Sequence, residues 1–232
     1  IQMSADFLVE LGTEELPPKA LRSLSEAFTA GVVKGFSSSG LNFAEVRSFA
    51  APRRLAITIK DLDRQTPDSD LVIWGPPSKV AFADDGKPTR AAEAFAGKNG
   101  LSVSELHNFV DNDGQQDKLC VRRTESGSQT KELLADIINR SLAELPIPKR
   151  MRWGDKKEEF VRPVQWAVLL FDGEVCADNI LGVKAGNNSR GHRFHANHKI
   201  PIQSPSSYQQ QLREAFVVAD FAERKNIIAD GV

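Results

Sequence analysis

No stretch of this sequence approaches the roughly 20 consecutive apolar residues needed to cross a bilayer as a helix. The opening residues lack a basic segment followed by an apolar one, so no secretion signal is expected, and Ile1-Gln2 ahead of Met3 reads as an appended remnant. Cysteine is scarce. Cys120 and Cys176 sit singly in apolar or strand-like sequence, without metal-ligand spacing, which fits a reducing cytoplasm. There is no Walker-type phosphate loop and no dinucleotide fingerprint after a strand. No Ser-His-Asp or Cys-His order stands out as a nucleophilic centre, so no catalytic residue is nominated. Internal repeats and low-complexity tracts are absent too.

What is present is an ordinary globular composition, 41% apolar and 26% charged over 232 residues, enough for one large domain or two modest ones. Phe7 to Leu11 reads as a short buried strand stopped by Gly12. Pro17-Pro18 suit the first turn of a helix whose apolar stripe is Leu21, Leu24, Phe28, Val32 and Phe36. Glu14-Glu15 is a possible carboxylate pair, but acids near a helix start are favoured by its dipole, and that reading is preferred. Glu45–Phe49 and Leu55–Lys60 read as strands flanking Pro52-Arg53-Arg54, whose guanidinium groups suit either phosphate or solvent.

The polar stretch Asp63–Asp70 marks a boundary. Beyond it come a strand near Leu71–Trp74, a helix from Arg90 capped by Thr89, a short helix from Ser102, a strand at Lys118–Thr124 and a helix at Thr130–Leu145. Val164–Phe171, Asp172-Gly173 and Glu174–Ala177 have the pattern of a β-hairpin. Ser204-Pro205 opens a helix, and Asp220 to Glu223 has capping-box spacing for another. The fold class expected is α+β: an antiparallel sheet with packed helices over 1–64 and 146–232, truncated at its C-terminus, interrupted by a smaller α+β unit at 65–145.

Charge is unevenly distributed. Residues 149–199 hold ten Lys/Arg against six Asp/Glu, a surplus of +4 in a chain whose formal net charge is −1. Three of the four histidines, His192, His195 and His198, lie in the same window. Cations interleaved with rings point to a polyanion such as RNA. On a helix the three would share a broad face, but Arg190–Ala196 reads as an extended segment or strand, on which His192 and His198 face away from His195, so a metal site is not nominated. A solvated sheet edge is the plain alternative.

Five blocks carry a resemblance: Phe7-Leu8-Val9-Glu10-Leu11-Gly12-Thr13-Glu14-Glu15-Leu16-Pro17, Arg47 to Ala56, Lys149-Arg150-Met151-Arg152-Trp153-Gly154 with Phe160 to Trp166, Gly191 to His195, and Asp220 to Lys225. In this order they resemble the β subunit of the bacterial tetrameric glycyl-tRNA synthetase. Gln165 and Ala51 depart from the family pattern, which has His and Thr there. The resemblance implies an N-terminal fragment, similar to the body and tail of archaeal CCA-adding enzymes, with the tail inserted into the body. It implies a tRNA-docking role for the fragment. Glycine would be activated with ATP and Mg²⁺ on the separate α subunit, and no cofactor is expected in this part.

The implied partners are tRNA(Gly), the α subunit and the later β-subunit domains, in the cytoplasm and with no membrane. The residues nominated for RNA contact are Arg53, Arg54, Lys149, Arg150, Arg152, Arg190, His192, Arg193 and His195. Reversing Arg150 and Arg152 to Glu is then expected to weaken tRNA binding and leave the fold intact. The alternative is a scaffold that packs on the α subunit or later domains without touching RNA.

Overall fold

The computed structural model describes residues 2–147, 150, 152, 155, 157, 159–215 and 217. They form two units, Ile1–Thr66 with Ser128–Val232, and Pro67–Gly127. The larger begins with strand β1 (Ser4–Thr13), helix α1 (Leu21–Ser38), and strands β2 (Glu45–Ala51) and β3 (Arg54–Asp63). The smaller contains β4 (Ser69–Pro77), the short α2 (Ser78–Ala81), α3 (Arg90–Asn99), a 3-10 turn at Val103–Phe109, β5 (Val110–Asn112) and β6 (Asp117–Glu125). The larger unit resumes with α4 (Thr130–Ala143) and β7 (Val164–Phe171), followed by the short strands β8 (Glu174–Val175), β9 (Asn179–Ile180), β10 (Val183–Lys184), β11 (Asn188–Arg190) and β12 (Lys199–Pro201). A 3-10 turn at Pro205–Ser207 leads into α5 (Tyr208–Glu214). The architecture is α+β with antiparallel sheets.

In the larger unit five strands run in the order β2-β3-β1-β7-β8. β1 is central, paired antiparallel with β3 and β7. Strand side chains alternate between faces, and the two faces of β1 are covered differently. Phe7, Val9 and Leu11 join a core with Leu21, Leu24, Phe28, Val32 and Phe36 of α1 and Leu134, Ile138 and Leu142 of α4. Leu8, on the other face, packs with Trp166, Val168, Leu170, Tyr208 and Leu212. The strand runs through Gly12 instead of stopping there. The expected hairpin is present: Asp172 and Gly173 both take left-handed φ, 57° and 73°, and join β7 to β8.

Several expectations shift. Pro17-Pro18 precede the N-cap Ala20 and form a turn, with Ala20 N–H donating to the Pro17 carbonyl at 3.0 Å. Thr89 does sit at the N-cap of α3, but its hydroxyl donates to the carbonyls of Val80 (2.6 Å) and Ala81 (3.2 Å) and so makes no cap bond. The largest change concerns α4, assigned from sequence to the inserted unit; it belongs to the larger one and packs on α1. Periodicity shows that a face is buried and not against what, so the boundary at 145 falls back to Gly127. The helix expected from Asp220 lies outside the described residues. Among those residues no helix is long and apolar enough to cross a membrane.

The smaller unit is a three-stranded sheet, β4-β6-β5, with Ala92, Phe95 and Ala96 of α3 set against Leu119 and Val121 of β6. Within the larger unit the two crossing points are tied together. Thr66 N–H donates to the Ser128 carbonyl (2.9 Å), and Thr130 donates its N–H to Arg64 (2.8 Å) and its hydroxyl to Asp63 (2.5 Å).

Helices α1 and α4 approach closely because α1 presents Gly31 and Gly35. A Cβ at Gly35 would stand 2.5 Å from Ile137 Cγ2, and one at Gly31 3.0 Å from Ser141 Cβ. In an open helix Gly→Ala gains about 0.5–1 kcal/mol, whereas overpacking a core costs about 1–3 kcal/mol. Gly35→Ala is therefore expected to destabilise the fold by about 1 kcal/mol, read as a lower urea midpoint at unchanged slope.

Candidate nucleic-acid interface

Glu10 points from the middle of β1 to the face opposite α1 and α4, and it is fully buried, 0% exposed. A buried carboxylate must be supplied with donors. Its Oε1 accepts from Trp166 Nε1–H (2.5 Å) and Ser189 Oγ–H (2.5 Å), and its Oε2 accepts from the Tyr208 hydroxyl. Arg54 Nη1 approaches Oε2 at 3.4 Å and donates to Ser189 Oγ at 3.0 Å, while Nη2 donates to the Arg190 carbonyl at 2.6 Å. Burial, followed by the charge of Glu10, pushes the Tyr208 phenol well above its usual range, so it remains a donor. Strands β3, β7 and β11 and helix α5 are thereby tied to one side chain.

Trp166 organises the solvent side of this network. Arg54, Gly12 and Trp166 stand opposite one another across β3, β1 and β7. A Cβ at Gly12 would fall 1.9 Å from the indole, so the ring occupies the space a side chain would take. The guanidinium carbons of Arg190, Arg54 and Arg53 lie 5.1, 5.5 and 5.8 Å from the ring centroid, within cation–π range. Arg53 also donates to Gln165 Oε1 at 2.9 Å. Its pKa is lowered, first by burial and then by repulsion from Arg193, Arg54 and Arg190, with Glu14 opposing. That repulsion is the electrostatic signature of a cationic group at the surface.

Beyond β11 the chain makes a turn instead of the expected strand. Gly191 N–H donates to the His198 carbonyl (3.4 Å), Ala196 N–H to His192 (3.0 Å) and His192 N–H to Ala215 (3.0 Å). Gly191 is required, since a Cβ there would meet the Ala196 oxygen at 2.5 Å. His192 Nδ1 accepts from the N–H groups of Phe194 (3.1 Å) and His195 (3.2 Å). The His192 and His195 rings therefore lie 4.6 Å apart, on one side, where an extended strand would have separated them. Among the described residues no group of three or more His, Cys, Asp or Glu is gathered that could hold a metal ion.

The structure thus divides the nominated residues. Arg53, Arg190, Arg193, His192 and His195 come together around Trp166 and the turn that follows β11. Arg54 does not belong with them as an exposed contact: it is 3% exposed and turned inward to Glu10. Arg150 caps α4, donating to the carbonyls of Ala143 (2.8 Å) and Leu145 (2.9 Å), on the helical side of the sheet. Arg152 pairs with Glu159 at 2.5 Å, and Lys149 lies outside the described residues. Sequence reasoning misses Tyr208, Ser189 and Phe194. Glu10 carries a usable signal, a charged residue inside a run that reads as a buried strand.

A family model described as "Glycyl-tRNA synthetase beta subunit" matches residues 7–232, and the chain belongs to that family. Among similar proteins are the glycine–tRNA ligase beta subunits of Azotobacter vinelandii, 53% identical over 231 residues, and Stutzerimonas stutzeri, 52% identical over 231 residues. That of Pseudomonas aeruginosa strain LESB58 is 51% identical over 231 residues. Each alignment covers 99% of this chain, which spans about a third (33%) of each relative.

The consecutive arginines have different roles and should respond differently to substitution. Arg54→Met leaves a buried carboxylate without its cation and is expected to cost about 3–5 kcal/mol in chemical denaturation, whereas Arg53→Met should cost under about 1 kcal/mol. Arg150→Glu would set a carboxylate against the negative end of α4. It is expected to lower the melting temperature, so reversal there reports on stability and not on RNA contact.

Proposed function

We propose that this chain is the tRNA-docking part of the β subunit of a cytoplasmic glycine–tRNA ligase. It supports ATP-dependent attachment of glycine to tRNA(Gly) at an active site on the α subunit and takes no direct part in the chemistry. The observation that carries this reading is the gathering of Arg53 and Arg190 over Trp166 with Arg193 nearby, where the Arg53 pKa is lowered first by burial and then by the like charges of Arg193, Arg54 and Arg190. Such repulsion is relieved when an anion binds, and planar guanidinium forks match phosphate oxygens. His192 and His195 extend the same surface. The relatives' name, glycine–tRNA ligase beta subunit, supplies the RNA concerned. The two units fit a body with an inserted tail, as in CCA-adding enzymes.

Arg193 is exposed and can be reversed without disturbing the core. In the full-length β subunit assembled with its α subunit, Arg193→Glu is expected to weaken tRNA(Gly) binding several-fold. It should also make the log–log salt slope shallower by about 0.7–0.9 for each phosphate that is no longer neutralised. Filter binding across a salt series reads both quantities. Unchanged affinity and slope would leave the chain as a scaffold for the α subunit or the later β-subunit domains.

A further inference from the structure

Phe194 is 80% exposed at the outermost part of the turn after β11. Its outward position is built in: the two N–H groups donated to His192 Nδ1 are those of Phe194 and His195, so the backbone winds around the imidazole and the benzyl group is carried outward. The Arg193 guanidinium lies 5.4 Å from the Phe194 ring centroid, and the His192 ring 6.1 Å away at 51°. Because Nδ1 of His192 is an acceptor here, the neutral ring carries its proton on Nε2, which is left as a donor.

Arginine alone suffices to hold a duplex by its phosphates, and an exposed phenyl ring adds nothing to that contact. A phenyl face becomes useful when a base has left its stack, because every base offers a π-face of its own. We propose that the Gly191–His198 turn is a binding site for an unpaired nucleotide of the RNA. The base stacks on Phe194, the Arg193 and Arg190 guanidinium groups hold the flanking phosphates, and His192 Nε2–H is the directional donor. This rests on the tRNA-docking reading and narrows it from the tRNA as a whole to a single-stranded end or an extruded base.

The test uses the full-length β subunit assembled with its α subunit and two RNA hairpins with the same stem. One is blunt, and the other carries an unpaired 3′ overhang containing 2-aminopurine. Phe194→Ala is expected to weaken binding of the overhang hairpin on the order of ten-fold and to abolish the change in 2-aminopurine fluorescence, leaving the blunt hairpin unaffected. Phe194→Trp should preserve overhang binding, and Phe194→Leu, apolar but without a π-face, should not. Arg193→Glu should weaken both hairpins. Equal loss on both hairpins with Phe194→Ala, no loss on either, or rescue by leucine would overturn the stacking site. So would release of the α subunit by Phe194→Ala at unchanged RNA affinity, which would make the ring a protein contact. Failure of Arg193→Glu to weaken either hairpin would count against the docking reading itself.

Discussion

A carboxylate in the middle of a central strand, closed off from water, has to obtain its hydrogen bonds from the protein around it. Glu10 does so from Trp166, Ser189, Tyr208 and Arg54, contributed by three other strands and a helix. The segment from β11 to α5 is consequently fastened to the sheet by polar contacts beneath an apolar layer of Leu8, Ala196, Ile200, Ile202 and Leu212. Apolar packing alone tolerates sliding, whereas directional bonds to two oxygen atoms select one placement. The position of Arg190, and with it the start of the turn bearing His192 and Phe194, follows from the bond between its carbonyl and Arg54.

The Arg53-Arg54 pair shows how one dipeptide serves two purposes. Arg53 lies in the turn before β3 and Arg54 is its first residue, yet both guanidinium groups reach the same indole, one from the surface and one from within. The inner cation is matched by Glu10; the pKa of the outer one is lowered by burial first and then by repulsion from its arginine neighbours. Trp166 mediates between them, its ring resting on the backbone of Gly12. The group of cations around the indole thus rests, through Gly12, on the most central strand of the larger sheet, where local motion is costly.

Much of the fold was legible because it rests on local regularities. The stripe of α1, the Asp172-Gly173 hairpin and the strands read at 7–11 and 55–60 each follow from a few adjacent residues. The destination of α4 was not legible, since an amphipathic helix does not state its partner. Nor was the fate of the cations, because Lys and Arg have one composition whether they cap a helix, as Arg150 does, or face solvent, as Arg193 does. The turn at 191–198 reads as extended from sequence because its cause is an imidazole accepting backbone N–H groups. That contact leaves no periodic trace. The family resemblance singled out whole blocks without distinguishing buried from exposed residues inside them.

The joined crossing points at Thr66 and Ser128 bear on how such a chain is made. As it leaves the ribosome, α1 emerges well before α4, and the interposed unit must be completed before the two can meet. Were that segment unstructured, bringing its ends together would carry the entropy of closing a long loop. Once collapsed around Phe95 and Leu119 it behaves instead as a short rigid staple. The order of synthesis then works in favour of the larger unit, whose α4 arrives already leashed beside α1.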